Sequence, residues 1–283
     1  MNYAPKIVEY LSKTPESVEI ILAPNAPPVV RKANGLEPMA EAFLTAAAIR
    51  ETLTTMRGHS TAQAVPLGKQ GTFSLGQPNI GRLRISFMSQ RGSYVVRIVK
   101  IPFQHVPLEN LLLDPSLIEV LDTLMSRRDG TMVIVTGSSD EKNRQFVYSA
   151  LQRLNSRESR LIYVLEQSLS YLLQHDRSIV FQSELDLDVE SVESGLAAAL
   201  QIVPDVVYVG DVATHDDVLM LLRTAERGVL VIMTLQAFNE TEFMQQLVSA
   251  FHTRYPDFIH LPRKVIKVKP VAGDKLAVTI TDL

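Results

Sequence analysis

Met132-Val133-Ile134-Val135-Thr136-Gly137-Ser138-Ser139-Asp140-Glu141-Lys142-Asn143 is the stretch on which the fold turns. Its apolar residues run without alternation, as in a strand buried on both faces. Gly137 closes the run, and a helical pattern follows over Asn143–Leu154. A strand that passes through a glycine into a helix is the building unit of a parallel α/β sheet, and such sheets bind phosphate at that junction.

The same rhythm continues downstream. Leu161–Leu165, Ile179–Gln182, Val206–Val209 and Val229–Leu235 read as short apolar strands, with helical patterns at Val189–Leu200 and Asp216–Glu226. This alternation predicts a largely parallel sheet covered on both faces. Lys264–Lys269 and Lys275–Thr281, around Ala272-Gly273-Asp274, predict an antiparallel hairpin, with its lysines protecting an edge strand. Upstream the pattern is different. Ile7–Leu11 is helical, Val18–Ala23 and Val29-Val30 are strands turning at Asn34-Gly35, and Pro38–Met56 has helix-forming composition. A short strand is expected around Phe73. Arg82–Phe87 and Tyr94–Val99 flank Gln90-Arg91-Gly92-Ser93 as a hairpin. The expected organisation is an α+β domain over residues 1–101, a linker over 102–115 containing Pro102, Pro107 and Pro115, and an α/β domain over 116–283.

Composition agrees with two folded domains. The chain has 283 residues, 46% hydrophobic and 21% charged, with 28 Lys+Arg against 31 Asp+Glu. At roughly 100–200 residues per domain, each half can bury its own core. A net charge of −3 gives no electrostatic case for nucleic acid as a partner. The absence of cysteine excludes disulfides, zinc-thiolate sites and thiol nucleophiles. There is no apolar run of spanning length and no signal-peptide pattern at the N-terminus, so a cytoplasmic location is expected.

Several motifs stand in a fixed order along the chain: Ala26-Pro27-Pro28-Val29-Val30-Arg31, Gly81-Arg82-Leu83-Arg84-Ile85, Gln90-Arg91-Gly92, Val135-Thr136-Gly137, Pro204-Asp205-Val206-Val207-Tyr208-Val209-Gly210-Asp211, Ala225-Glu226-Arg227-Gly228 and Thr234-Leu235. Together they resemble the PilT-type motor ATPases of type IV pili, within the larger secretion-ATPase family, over about residues 5 to 260. The resemblance implies a PAS-like α+β N-terminal domain joined to a RecA-like domain with a mostly parallel sheet. It also implies a ring of such subunits at the cytoplasmic base of a pilus or secretion machine, peripheral to the inner membrane through platform proteins.

The nucleotide chemistry of that family is only partly present. Its phosphate loop reads GPTGSGKST; here the same places hold Gly137, Ser138, Ser139, Asp140, Glu141, Lys142, Asn143, Arg144 and Gln145. A working loop wraps phosphates with successive backbone N–H groups, reaches them with a Lys and ligates Mg²⁺ with a hydroxyl. Asn143 stands at the lysine position and Arg144 at the hydroxyl position. Asp140 and Glu141 put two carboxylates at a helix N-terminus, which carries about half a positive charge and otherwise attracts anions. Ser138-x-x-Glu141 has the spacing of a capping box, which would satisfy that terminus internally.

The resemblance makes Glu166 and Asp211 the residual catalytic candidates. Glu166 is the retained carboxylate of a TIEDPIE-like segment, and Asp211 replaces the glutamate that polarises the attacking water. Asp211 is shorter by one methylene, which withdraws the carboxylate by about 1.5 Å. Each has a plain structural alternative: Glu166 ends a strand at the surface, and Asp211 pairs with a nearby backbone or basic group. The histidine of the family falls at Gln236, followed by Ala237. The resemblance makes Arg82, Arg84 and Arg97 on the N-terminal hairpin interface candidates, because arginines of the family's hairpin approach the nucleotide or the neighbouring subunit. Arg82 and Arg84 alternate with apolar residues and share one face, and the alternative is a plain solvated face. His215-Asp216-Asp217 is not a metal site, because adjacent ligands at a helix start diverge; Thr214-x-x-Asp217 is a capping pattern.

The expected function is a non-catalytic, PilT-like pseudo-ATPase serving as a regulatory or structural subunit of a type IV pilus or type II secretion machine, with no cofactor. Its expected partners are further copies of itself, or an active homologous ATPase in a mixed ring. One alternative is a weak, divergent motor that binds ATP and Mg²⁺ and improvises with Lys142 and Asp211. Another is a scaffold that uses its N-terminal domain for interaction. The chain ends soon after its terminal hairpin, where motors of the family continue into further helices, and this weighs against a self-sufficient motor.

Overall fold

The computed structural model describes residues 2–14, 18–32, 34–59, 67–103, 106–235, 240–254, 256–258 and 260–283. The chain divides into two compact units, Met1–Gln104 and His105–Leu283, each with its own hydrophobic core.

The first unit runs α1 (Ala4–Ser12), β1 (Val18–Leu22), β2 (Val29–Lys32), β3 (Gly35–Pro38), α2 (Ala46–Gly58), β4 (Gln70–Gln77), β5 (Gly81–Gln90) and β6 (Ser93–Ile101). Pro5 lies in the first turn of α1, where a missing N–H costs nothing, and the helix buries Ala4, Ile7 and Leu11 along one stripe. Its six strands form one antiparallel sheet in the order β3-β2-β1-β6-β5-β4. The β5–β6 turn is set by Arg91 and Gly92, both at positive φ, the geometry that matches strand twist in a tight hairpin. Ile20, Leu83, Ile85 and Ile98 face the core with the apolar sides of both helices. The helix expected over Pro38–Met56 starts later. Pro38 pairs with Val29 at the end of β3, and α2 begins only after Thr45, whose side chain accepts from the Ala48 amide. Helix propensity in the residues between was overridden by strand pairing and by the cap.

The second unit contains α3 (Leu108–Leu111), α4 (Leu117–Met125), β7 (Met132–Gly137), α5 (Asp140–Arg157), β8 (Leu161–Glu166), β9 (Ile179–Glu184), α6 (Val192–Gln201), β10 (Val206–Val212), α7 (His215–Ala225), β11 (Leu230–Leu235), α8 (Glu240–Thr253), β12 (Arg263–Pro270) and β13 (Leu276–Asp282). Its sheet has the order β13-β12-β7-β11-β10-β8-β9, and every pairing is parallel except β12 with β13. The expected mixed α/β fold with a mostly parallel second sheet is therefore found. β11 is buried throughout and β7 nearly so, as the unbroken apolar runs require.

Two expectations about this unit change. The lysines of β12 do not guard an edge, because β12 lies between β7 and β13, and β13 is the outer strand. Within the proline-rich stretch 102–115, residues 108–112 are packed: Leu108, Leu111 and Leu112 are buried, and the Leu113 amide donates to the Leu276 carbonyl at 2.9 Å. Three leucines recruited to the core outweigh the prolines that flank them.

Candidate functional site

The C-terminal ends of β7, β8, β10 and β11 and the first turns of α5 enclose the candidate site. Gly137 is required where β7 ends. A Cβ there would collide with the Val268 carbonyl oxygen and stand 2.7 Å from Asn143 Oδ1. Ser139 is the N-cap of α5: its side chain accepts from the Lys142 amide at 3.3 Å, and its φ and ψ are extended. The cap expected at Ser138 is thus displaced by one residue, and with Lys142 at the third helical position it is a one-way cap and not a capping box. The consequence is larger than the displacement. Asp140, Glu141 and Lys142 are wound into the first turn of α5, so their amides lie in a helix and not in a loop that wraps around a phosphate.

The two substituted positions take different roles. Asn143 is buried and turned back against Gly137, and its Oδ1 has no hydrogen-bond partner among the described residues. Arg144 points to β10, where its Nη1 lies 2.8 Å from Asp211 Oδ1. Both side chains are shielded, at 26% and 16% exposure. Burial opposes the guanidinium's charge, but Asp211 and, further off, Glu166 outweigh it and raise the Arg144 pKa. Lys142 is engaged elsewhere: its Nζ donates to Gln145 Oε1 at 3.1 Å and lies 3.8 Å from Asp274.

Asp211 sits at φ 59° in an irregularity of β10 between Val209 and Val212, and its amide donates to Thr234 Oγ1 at 3.0 Å. A bulge at a strand end re-aims a side chain, here towards α5. Glu166 corrects the expectation of a surface position, because it is fully buried. Tyr148 donates to its Oε2 at 2.7 Å, Tyr208 to its Oε1 at 2.9 Å, and the Ser170 amide to Oε2 at 2.9 Å. Burial pushes its carboxyl up to about 7, against the lowering effect of these donors; Asp211 adds a smaller upward push. Burial, reinforced by Glu166, likewise drives the Tyr148 and Tyr208 hydroxyls well above their ordinary range, so they remain donors. Tyr148, Tyr208 and Thr234 were missed from the sequence. The available signal was a tyrosine inside the otherwise apolar run Val206–Val209, since a buried Tyr hydroxyl needs a partner.

The remaining candidates are placed as follows. Arg82, Arg84 and Arg97 lie on the face of the first sheet opposite its core, with Arg84 across from Val99 and Arg97 across from Ser86. Arg97 and Arg31 both pair with Glu19, at 2.9 and 3.0 Å. Thr214 caps α7 by accepting from the Asp217 amide at 3.1 Å. Gln236 and Ala237 lie outside the described residues. No helix among the described residues is long and apolar enough to cross a membrane.

Mg-ATP does not fit this set of groups. No lysine and no hydroxyl occupy the two phosphate-loop positions, Asp140 and Glu141 lie in the first turn of α5, and a guanidinium is bound to Asp211. The same fold is found in solved structures. The structure of the pilus retraction motor PilT with bound ADP superposes with a TM-score of 0.79 at 23% identity, over 100% of this chain and 83% of that one. The ATPase DotB of Legionella pneumophila superposes at 0.72 with 17% identity, over 99% and 81%. By sequence, the chain is 24% identical to the type IV pilus ATPase PilU of Pseudomonas aeruginosa over 233 residues, 82% of this chain and 60% of PilU. It is 30% identical to the type II secretion system protein E of Klebsiella pneumoniae over 141 residues, 50% of this chain and 27% of that protein. The chain thus spans less than two thirds of the length of these sequence relatives. Residues 35–253 match the model of the type II/IV secretion system proteins, and the chain belongs to that family.

Proposed function

We propose that this chain is a non-catalytic, PilT-like member of the family, a pseudo-ATPase that acts as a structural or regulatory subunit of a type IV pilus or type II secretion machine. The observation that carries this reading is the ion pair between Arg144 and Asp211. It joins the position of the Mg²⁺-ligating hydroxyl to the position of the water-polarising carboxylate, so each neutralises the other. Phosphoryl transfer depends on a positioned cation and a free water-orienting group, and neither position supplies one. The inward-turned Asn143 and the carboxylates of the first α5 turn work in the same direction.

The proposed setting is the cytoplasmic base of the machine. There the chain joins a ring of its own copies or a mixed ring with an active homologue, next to inner-membrane platform proteins. The open face of the first sheet, with Arg82, Arg84 and Arg97, is the proposed subunit contact. The test is thermal melting with and without Mg-ATP, together with phosphate release. The expected outcome is no rise in melting temperature and no turnover above background. Turnover that disappears in Asp211→Ala would overturn the proposal in favour of a divergent motor.

A further inference from the structure

Arg144 and Tyr148 are one helical turn apart on α5 and face the same strand ends. Arg144 pairs with Asp211 of β10 at 2.8 Å, and Tyr148 donates to Glu166 of β8 at 2.7 Å. The two contacts are joined behind the helix. The Asp211 amide donates to Thr234 Oγ1 of β11 at 3.0 Å, that hydroxyl lies 3.4 Å from the Tyr208 hydroxyl, and Tyr208 donates to Glu166 at 2.9 Å. The chain of contacts is continuous through α5, β10, β11 and β8.

We propose that the Arg144 guanidinium is a tethered ligand of this pocket, a resident cation that holds the ends of β8, β10 and β11 against α5 in one arrangement without metal or nucleotide. The proposal deepens the non-catalytic reading and rests on it. A guanidinium suits this position better than an ammonium. It is planar, it keeps its charge when shielded, and it presents several donors in a fixed fork. Asp211 sits at positive φ with its amide bonded to Thr234 Oγ1, so its Cβ stays aimed at α5 when the cation is removed. The same side chains that in an active site would respond to a bound nucleotide are here bound permanently by the protein itself. A subunit built in this way presents one fixed state to its neighbours.

Chemical rescue tests the idea. Melting is followed by the near-ultraviolet dichroism of the tyrosines, three of which (Tyr148, Tyr171 and Tyr208) cluster at this site. Arg144→Ala should melt roughly 4–8 °C below the wild type, the size of shift expected for losing a shielded charge partner. Guanidinium chloride at about 20 mM, far below the molar range in which it denatures, should recover at least half of that loss. Equal urea or sodium chloride should not. The double variant R144A/D211A should show no recovery, because no carboxylate remains to hold the added cation. The inference is overturned if Arg144→Ala melts with the wild type, if guanidinium fails to recover it, or if recovery persists without Asp211. Should Arg144→Ala not fold, R144A/D211A decides. It should fold, since no charge is left unpaired, and its failure would mean that the arginine serves packing alone. A rise in wild-type melting with Mg-ATP would count against the non-catalytic reading only, and leaves the guanidinium result to be read separately.

Discussion

Gly210 lies directly against Glu166: a Cβ at position 210 would stand 2.7 Å from Glu166 Cγ and 2.9 Å from its Oε1. The Tyr208 hydroxyl would be only 3.1 Å away. The glycine of β10 therefore provides the space in which a full-length carboxyl side chain meets its two tyrosines. Gly210→Ala should destabilise the second unit by about 1–3 kcal/mol through overpacking. Chemical denaturation would measure this, and a variant within about 0.5 kcal/mol of the wild type would show that the pocket can expand.

Stability should depend on pH through Glu166. Its carboxyl keeps its proton up to about 7 in the folded chain but releases it near 4.5 when unfolded. Between those values the folded state binds more protons, so this group's contribution to stability falls as pH rises. The loss is complete above about 7 and reaches about 3 kcal/mol at most. Glu166→Gln removes the titration while keeping the shape. Melting curves from pH 5 to pH 8 should show Glu166→Gln level with the wild type at pH 5 and above it at pH 8.

The tyrosines should act through the same carboxyl. Tyr208→Phe deletes one of the donors to Glu166 and Tyr148→Phe another. Each should cost about 1–3 kcal/mol, since a buried polar group loses its partner. The cost should be greater at pH 8 than at pH 5, because these donors favour the ionised form. In a Glu166→Gln background the pH difference should vanish, and its persistence would mean that the tyrosines act through some other group.

The start of α5 gives a sharper local test. Ser139→Ala removes the side chain that accepts from the Lys142 amide, and should cost about 1 kcal/mol. Ser138→Ala, at the position the sequence favoured, should change stability by less than about 0.5 kcal/mol, a surface-sized effect. Equal effects at both positions would place the helix start elsewhere.

The sequence by itself determined the strands β7 to β11 and the parallel character of the second sheet, but not β3, α4 or α8. It also identified Asn143 and Arg144 as positions that depart from the phosphate loop of the family it resembles. Those features are written in local patterns. Unbroken apolar runs such as Val206–Val209 can be buried only between two layers, and which residue stands at each place of the loop is read directly from the chain. The tertiary structure decided what the substituted residues do instead. Arg144 and Asp211 are 67 positions apart, and nothing local to either reveals that they meet. The same is true of Glu166, whose place at a strand end suggested the surface until Tyr148 and Tyr208, brought from α5 and β10, closed over it. The cap at Ser139 and the late start of α2 were settled in the same way. Each local signal was compatible with more than one boundary, and the choice fell to hydrogen bonds and strand pairs that only the folded chain brings together.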